Sequence, residues 1–127
     1  MVTWISRIGS GMQKAQLRRL HSPDVPDLRK YCPSGPFCLL VQAMVGLVGK
    51  QGEESFDILV CSPSWLEDNI GDKIVDGRHH LIMRNYEYKK LWDYIDKYCS
   101  LQSGNNWQEV ASRLARLGKW EFEDYRA

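Results

Sequence analysis

The chain predicts an α+β domain: an antiparallel sheet of about four or five strands, with two C-terminal amphipathic helices packed on one face. Three observations carry this reading. The first two-thirds hold short apolar runs broken repeatedly by Pro, Gly and Asp. The last third holds two stretches whose apolar residues recur at helical spacing. Strands first and helices last is the order of segregated layers, not of alternating strand–helix units.

Gln16 to Leu20 reads as a short strand. Ser22-Pro23-Asp24 and Val25-Pro26-Asp27 break it, because Pro removes a donor and Asp favours turns. Cys32-Pro33-Ser34-Gly35-Pro36 is a second break. Phe37 to Lys50 is rich in Leu and Val and reads as a central strand, with Gly46 and Gly49 marking a bulge or bend. A turn at Lys50-Gln51-Gly52-Glu53 joins it to Ser55–Cys61, completing an antiparallel hairpin that Ser62-Pro63 ends. Ser64 is placed to cap a short helix carrying Trp65 and Leu66, with Glu67 as its capping-box partner. Ile70 to Arg78 reads as a loop and His79 to Met83 as a third strong strand.

Tyr88, Leu91, Trp92, Ile95, Tyr98 and Cys99 share one face of a helix over Tyr86 to Ser100, with Asn85 as its cap. Ser103-Gly104-Asn105 separates it from a second helix, Asn106 to about Leu117. That helix aligns Trp107, Val110, Ala111, Leu114 and Leu117, starts with an Asn106/Glu109 capping box and stops at Gly118. Trp120 to Glu123 alternates as a short strand with its aromatics on one face.

A length of 127 residues fits one domain. Residues 13–127 form it, and residues 1–12, with Gly9-Ser10-Gly11, read as a flexible N-terminal extension. Seventeen Lys and Arg oppose sixteen Asp and Glu, so the net charge of +1 lacks the field of a general duplex binder. Phe37 to Val48 is too short to span a bilayer. Met1 to Gly11 has no secretory pattern, so a cytoplasmic location with reduced thiols at Cys32, Cys38, Cys61 and Cys99 is expected. Cys61 and Cys99 sit among apolar residues, as buried structural cysteines do.

The residues offer little chemistry. Gly46, Gly49 and Gly52 lack the setting of a phosphate loop. Neighbouring strand residues face opposite sides, so His79 and His80 do not serve one proton transfer or one metal. Cys32 and Cys38 are spaced too widely for a zinc knuckle. No catalytic, cofactor or metal residue is assigned, and no cofactor is expected. Binding groups are more evident. Glu67, Asp68, Asp72 and Asp76 cluster after Trp65, and Glu121, Glu123 and Asp124 interleave with Trp120, Phe122 and Tyr125. Alternation turns Trp120 and Phe122 inward as core. The acids serve equally as a solvated face or as contacts for a basic partner. A different class, a nucleic-acid-binding adaptor, would use Arg18, Arg19, Arg29 and Lys30, with Arg113, Arg116 and Lys119; overall neutrality speaks against it.

Four stretches together resemble the immunity protein 8 family. They are Gly52 to Leu66, Gly77-Arg78-His79-His80-Leu81-Ile82-Met83, Gly104-Asn105-Asn106-Trp107, and Trp120-Glu121-Phe122-Glu123-Asp124-Tyr125. The resemblance spans roughly Gln16 to Tyr125. It implies a protein encoded beside a toxin of a bacterial polymorphic or contact-dependent inhibition system. Such a protein stays in the cytoplasm and blocks a cognate toxin C-terminal domain, such as a nuclease, by direct contact. It implies no reaction, no cofactor, and neither nucleic acid nor membrane as partner. Positions shared within a family that meets varied toxins hold the fold, whereas variable surface carries specificity. The acids Glu67, Asp68, Asp72, Asp76, Glu121, Glu123 and Asp124 are therefore the candidate toxin contacts.

Overall fold

Alternation of aliphatic and polar residues builds the first three strands of the computed structural model, which describes residues 12–123. The acid Asp124, the aromatic Tyr125 and residues 1–11 of the expected N-terminal extension lie outside the described residues. The strands are β1 (Gln13–His21), β2 (Cys38–Leu47) and β3 (Glu54–Cys61). They form the expected antiparallel meander, with β2 central and paired along its length to β3. Helix α1 (Pro63–Ile70) leaves β3 and leads to β4 (His80–Ile82). Helix α2 (Tyr88–Ser100), the two-residue β5 (Ser103–Gly104), helix α3 (Trp107–Leu114) and the two-residue β6 (Lys119–Trp120) complete the chain.

The α+β expectation holds, with a mixed sheet in the order β4-β3-β2-β1-β5. One pair departs from the antiparallel pattern: β4 runs parallel to β3, with Leu59, Val60 and Cys61 beside His80, Leu81 and Ile82. A parallel neighbour needs a long crossover, which α1 and the loop after it supply. Lower on the same edge, β6 pairs antiparallel, with Phe56 beside Trp120. The two short strands divide the β3 edge between them and cover a row of backbone groups that would otherwise template association.

One face of the meander forms the core. Ala15, Leu17, Leu39, Val41, Ala43, Val45, Phe56, Ile58 and Val60 meet Leu91, Ile95 and Cys99 of α2 and Val110, Ala111 and Leu114 of α3. Burying each large aliphatic or aromatic side chain contributes about 1.5–3 kcal/mol. This layer therefore accounts for the packing of both helices on one side. The opposite face carries Leu40, Gln42 and Met44 beside Leu59, Asp57 and Ser55, half-buried or exposed.

Several expectations shift in detail. The bulge falls in β1, where the register slips between Leu17 and Arg19, and not at Gly46. Gly46 has another role. A Cβ there would lie 2.3 Å from the Gly52 carbonyl oxygen and 2.8 Å from Arg18 Nη2, so only glycine leaves room for the Arg18 side chain. That guanidinium donates to the carbonyls of Leu47 at 2.7 Å and Lys50 at 2.6 Å, holding the β2–β3 turn. Gly49, with φ at +77°, lies in that turn.

Helix α2 starts at Tyr88 with Glu87 in the cap position and no side-chain cap bond, so Asn85 is not the cap. Tyr86 is held elsewhere. Its ring packs against Tyr31 and Phe37, and its hydroxyl donates to Leu28 O at 2.7 Å. Asn106 caps helix α3 as expected, its Oδ1 accepting from Glu109 N at 2.9 Å, while Glu109 Oε1 accepts from Asn105 N at 3.1 Å, one residue before the N–H that a capping box uses.

Candidate functional site

The aromatic residues of the motifs converge on one carboxylate. Glu54 Oε1 accepts from Trp107 Nε1 at 2.8 Å and from Trp120 Nε1 at 2.7 Å. Phe56, two residues along the same strand, stacks on Trp120 and meets Trp107 edge-on. One acid therefore ties β3, α3 and β6 together. Phe122 departs from the inward reading: it is 41% exposed and lies edge-on against Trp120. The chain turns after β6, with Glu123 N donating to Trp120 O at 3.0 Å, so no alternating strand reaches Glu123. This cluster anchors the C-terminal segment and offers no reactive group.

The two C-terminal acids among the described residues are partly occupied. Glu121 Oε1 accepts from Ser55 N at 2.9 Å. Glu123 pairs with Arg78 at 3.5 Å. Both carboxylates help hold the chain end to β3 and to the loop before β4.

The other four acids lie in a different setting. Helix α1 begins at Pro63, capped by Ser62 and not by Ser64. Ser62 Oγ accepts from Trp65 N at 3.2 Å and from Phe37 N at 3.1 Å. Pro63 fits the first helical position because its missing N–H has no intrahelical partner there. Glu67 consequently lies outside the first turn, and the expected capping box does not form. Instead Glu67 and Asp68 project from an exposed helix, and Asp72 and Asp76 from the exposed loop that follows. Glu67, Asp68 and Asp72 make no hydrogen bond or ion pair among the described residues. Asp76 Oδ1 accepts from Arg78 N at 3.0 Å, shaping the turn.

Sequence reading missed the apolar part of this segment. Ile74 is 100% exposed and Val75 is 42% exposed, between Asp72 and Asp76. The signal was present as two aliphatic residues inside a Gly- and Asp-rich loop. From Pro63 to Gly77 four carboxylates face one cation, Lys73. The segment thus carries four acids and two exposed aliphatic residues on one exposed stretch of chain.

Both histidines are committed to carbonyl oxygens. His79 Nε2 donates to Ala115 O at 2.7 Å, and His80 Nδ1 donates to Arg78 O at 2.9 Å. His79 precedes β4 with φ at +63°. It thereby pins the end of the acidic crossover to the end of α3. Among the described residues no group of three or more His, Cys, Asp or Glu side chains is placed to hold a metal ion. None of their helices is long and apolar enough to cross a membrane.

Four of the seven basic residues of the adaptor reading are also engaged. Arg18, Arg19 and Arg29 line one cleft with Tyr88 and Trp92. Arg18 donates to backbone carbonyls, Arg19 pairs with Glu53 at 3.1 Å, and Arg29 lies 5.5 Å from the centre of the Tyr88 ring. Arg113 donates to Ser103 O. Each of these four cations has a structural partner already.

The chain belongs to the immunity protein 8 family, whose model matches residues 15–125. No curated protein and no solved structure matches it. Family membership makes this an immunity protein with a cognate toxin as partner, in a family that generally works without a reaction of its own.

Proposed function

We propose that the protein neutralises its cognate toxin domain in the cytoplasm by docking the segment from Glu67 to Asp76 onto a basic surface of the toxin and occluding it. A nuclease, whose substrate groove must be cationic to hold phosphates, is the toxin class that best fits this charge. The observation that carries the reading is the fully exposed Ile74 framed by acids that have few partners of their own. Leaving a bare aliphatic side chain in water gives the fold nothing, whereas a partner pocket gains its burial.

The test is a binding series with the toxin C-terminal domain encoded beside this gene. Ile74→Ser is expected to weaken affinity at least tenfold, mainly through faster dissociation. The pair Asp68→Lys with Asp72→Lys is expected to slow association at low salt, with the difference shrinking as salt rises. Neither change should lower Tm, since both sites are exposed. Unchanged binding in both variants, with loss on Leu59→Ser at the opposite sheet face, would move the interface there.

A further inference from the structure

Cys38 and Cys61 stand directly opposite each other where β2 and β3 end. Their sulfurs are 2.7 Å apart, and both thiols are free. The next pair along, Phe37 and Ser62, is joined by Ser62 N donating to Phe37 O at 2.9 Å. Hydrogen-bonded and non-hydrogen-bonded pairs alternate in an antiparallel ladder, so Cys38 and Cys61 occupy a non-hydrogen-bonded pair. At such a pair the Cα atoms approach to about 4.5 Å and the side chains are closest. That separation lies within the range a disulfide spans, and the sulfurs need to approach only about 0.7 Å further.

We infer that Cys38 and Cys61 form a thiol-pair modification site that closes to an intramolecular cross-strand disulfide under a peroxide oxidant. The two thiols differ in access. Cys61 is fully buried, and that burial, with the Cys38 thiol beside it, pushes its pKa up to about 12. Cys38 is half-buried and is the entry point. Its thiolate attacks one peroxide oxygen, gaining an S–O bond as the O–O bond breaks and hydroxide leaves. The Cys61 sulfur then attacks the sulfenic sulfur. The S–S bond forms, the S–O bond breaks, and the Cys61 proton leaves with the oxygen as water. Two thiols are oxidised and one peroxide is reduced to two waters.

Position gives the closure a consequence. Ser62, the residue after Cys61, caps α1, and Cys61 O accepts from Met83 N at 3.0 Å just past β4. A bridge at Cys61 therefore fixes the strand end from which the acidic crossover departs and to which it returns.

Peptide mapping tests this in the full-length protein carrying Cys32→Ser, a change at an exposed position that removes the competing thiol. After hydrogen peroxide treatment, quenching, denaturing alkylation and trypsin, peptide 31–50 should be joined to peptide 51–73, with Cys99 alkylated. The joined species should disappear in Cys38→Ser, and Tm of the oxidised form should rise by roughly 5–10 °C. Amide exchange over residues 63–70 should slow. Cys38 recovered as sulfinic acid while Cys61 is alkylated would overturn the site. A bridge that leaves exchange in α1 unchanged would overturn the coupling to the crossover.

Discussion

The Glu54 cluster and the acidic crossover both depend on carboxylates, yet they put them to opposite uses. At Glu54 one half-buried oxygen is shared by two indole N–H groups, and the surrounding rings pack against Phe56. From Glu67 to Asp76 the carboxylates extend into solvent beside the exposed aliphatic side chains of Ile74 and Val75. The difference is dielectric. A carboxylate shielded from water must be satisfied within the fold, because an unpaired one is costly. One in water is free to meet a partner at little cost to stability.

The largest expected effect breaks the packed region. Glu54→Ala leaves two indole donors without their acceptor and should lower stability by about 2–4 kcal/mol, measured by urea unfolding. Glu54→Gln, which keeps an acceptor oxygen, should lose less. Toxin affinity of either variant, measured where it remains folded, should match the parent. The exposed region should behave in reverse, with Ile74→Ser weakening binding without moving Tm.

A smaller effect comes from the buried thiols. Burial pushes Cys99 from the ordinary 9.0 up to about 12, and Cys61 is raised to a similar value. A raised folded pKa favours the protonated form, so this stability is complete below pH 9.0 and is lost as pH climbs toward about 12. Tm should be flat to about pH 9 and then fall. Cys99→Ala should roughly halve the slope between about pH 9 and 10, before the Tyr86 hydroxyl, also raised to about 12 by burial, adds its own loss. An unchanged slope would count against thiol burial as its cause. Smallest is Glu121→Ala, which removes an exposed bond to Ser55 N and should cost about 0.5–1 kcal/mol or less by the same urea assay.

Much of this was legible because it is local. Helical spacing identified α2 and α3, and alternation with turn residues identified β2 and β3, since both patterns report which side of an element meets the core. The Asn106/Glu109 cap is likewise a signal within four residues. The sequence named the acids as one group, and the structure separates them: Glu67, Asp68, Asp72 and Asp76 are exposed, Glu121 and Glu123 bond to Ser55 and Arg78, and Asp124 lies outside the described residues. Their distinction rests on whether Ser55 N or Arg78 stands nearby, and Ser55 is 66 residues from Glu121 in sequence. The α1 cap was misread because Ser62 is fixed as much by Phe37 across the sheet as by its own helix.

Residue order alone carries an α+β layer arrangement, the family through its ordered motifs, and a surplus of acids after Trp65. Only the folded chain reveals that β4 runs parallel to β3, that Trp107 and Trp120 meet on Glu54, and that Cys38 faces Cys61. The physical reason is range. Periodicity and capping are set by neighbours a few residues away, whereas the direction of a three-residue strand and the partner of a buried polar atom follow from how the whole chain closes its core.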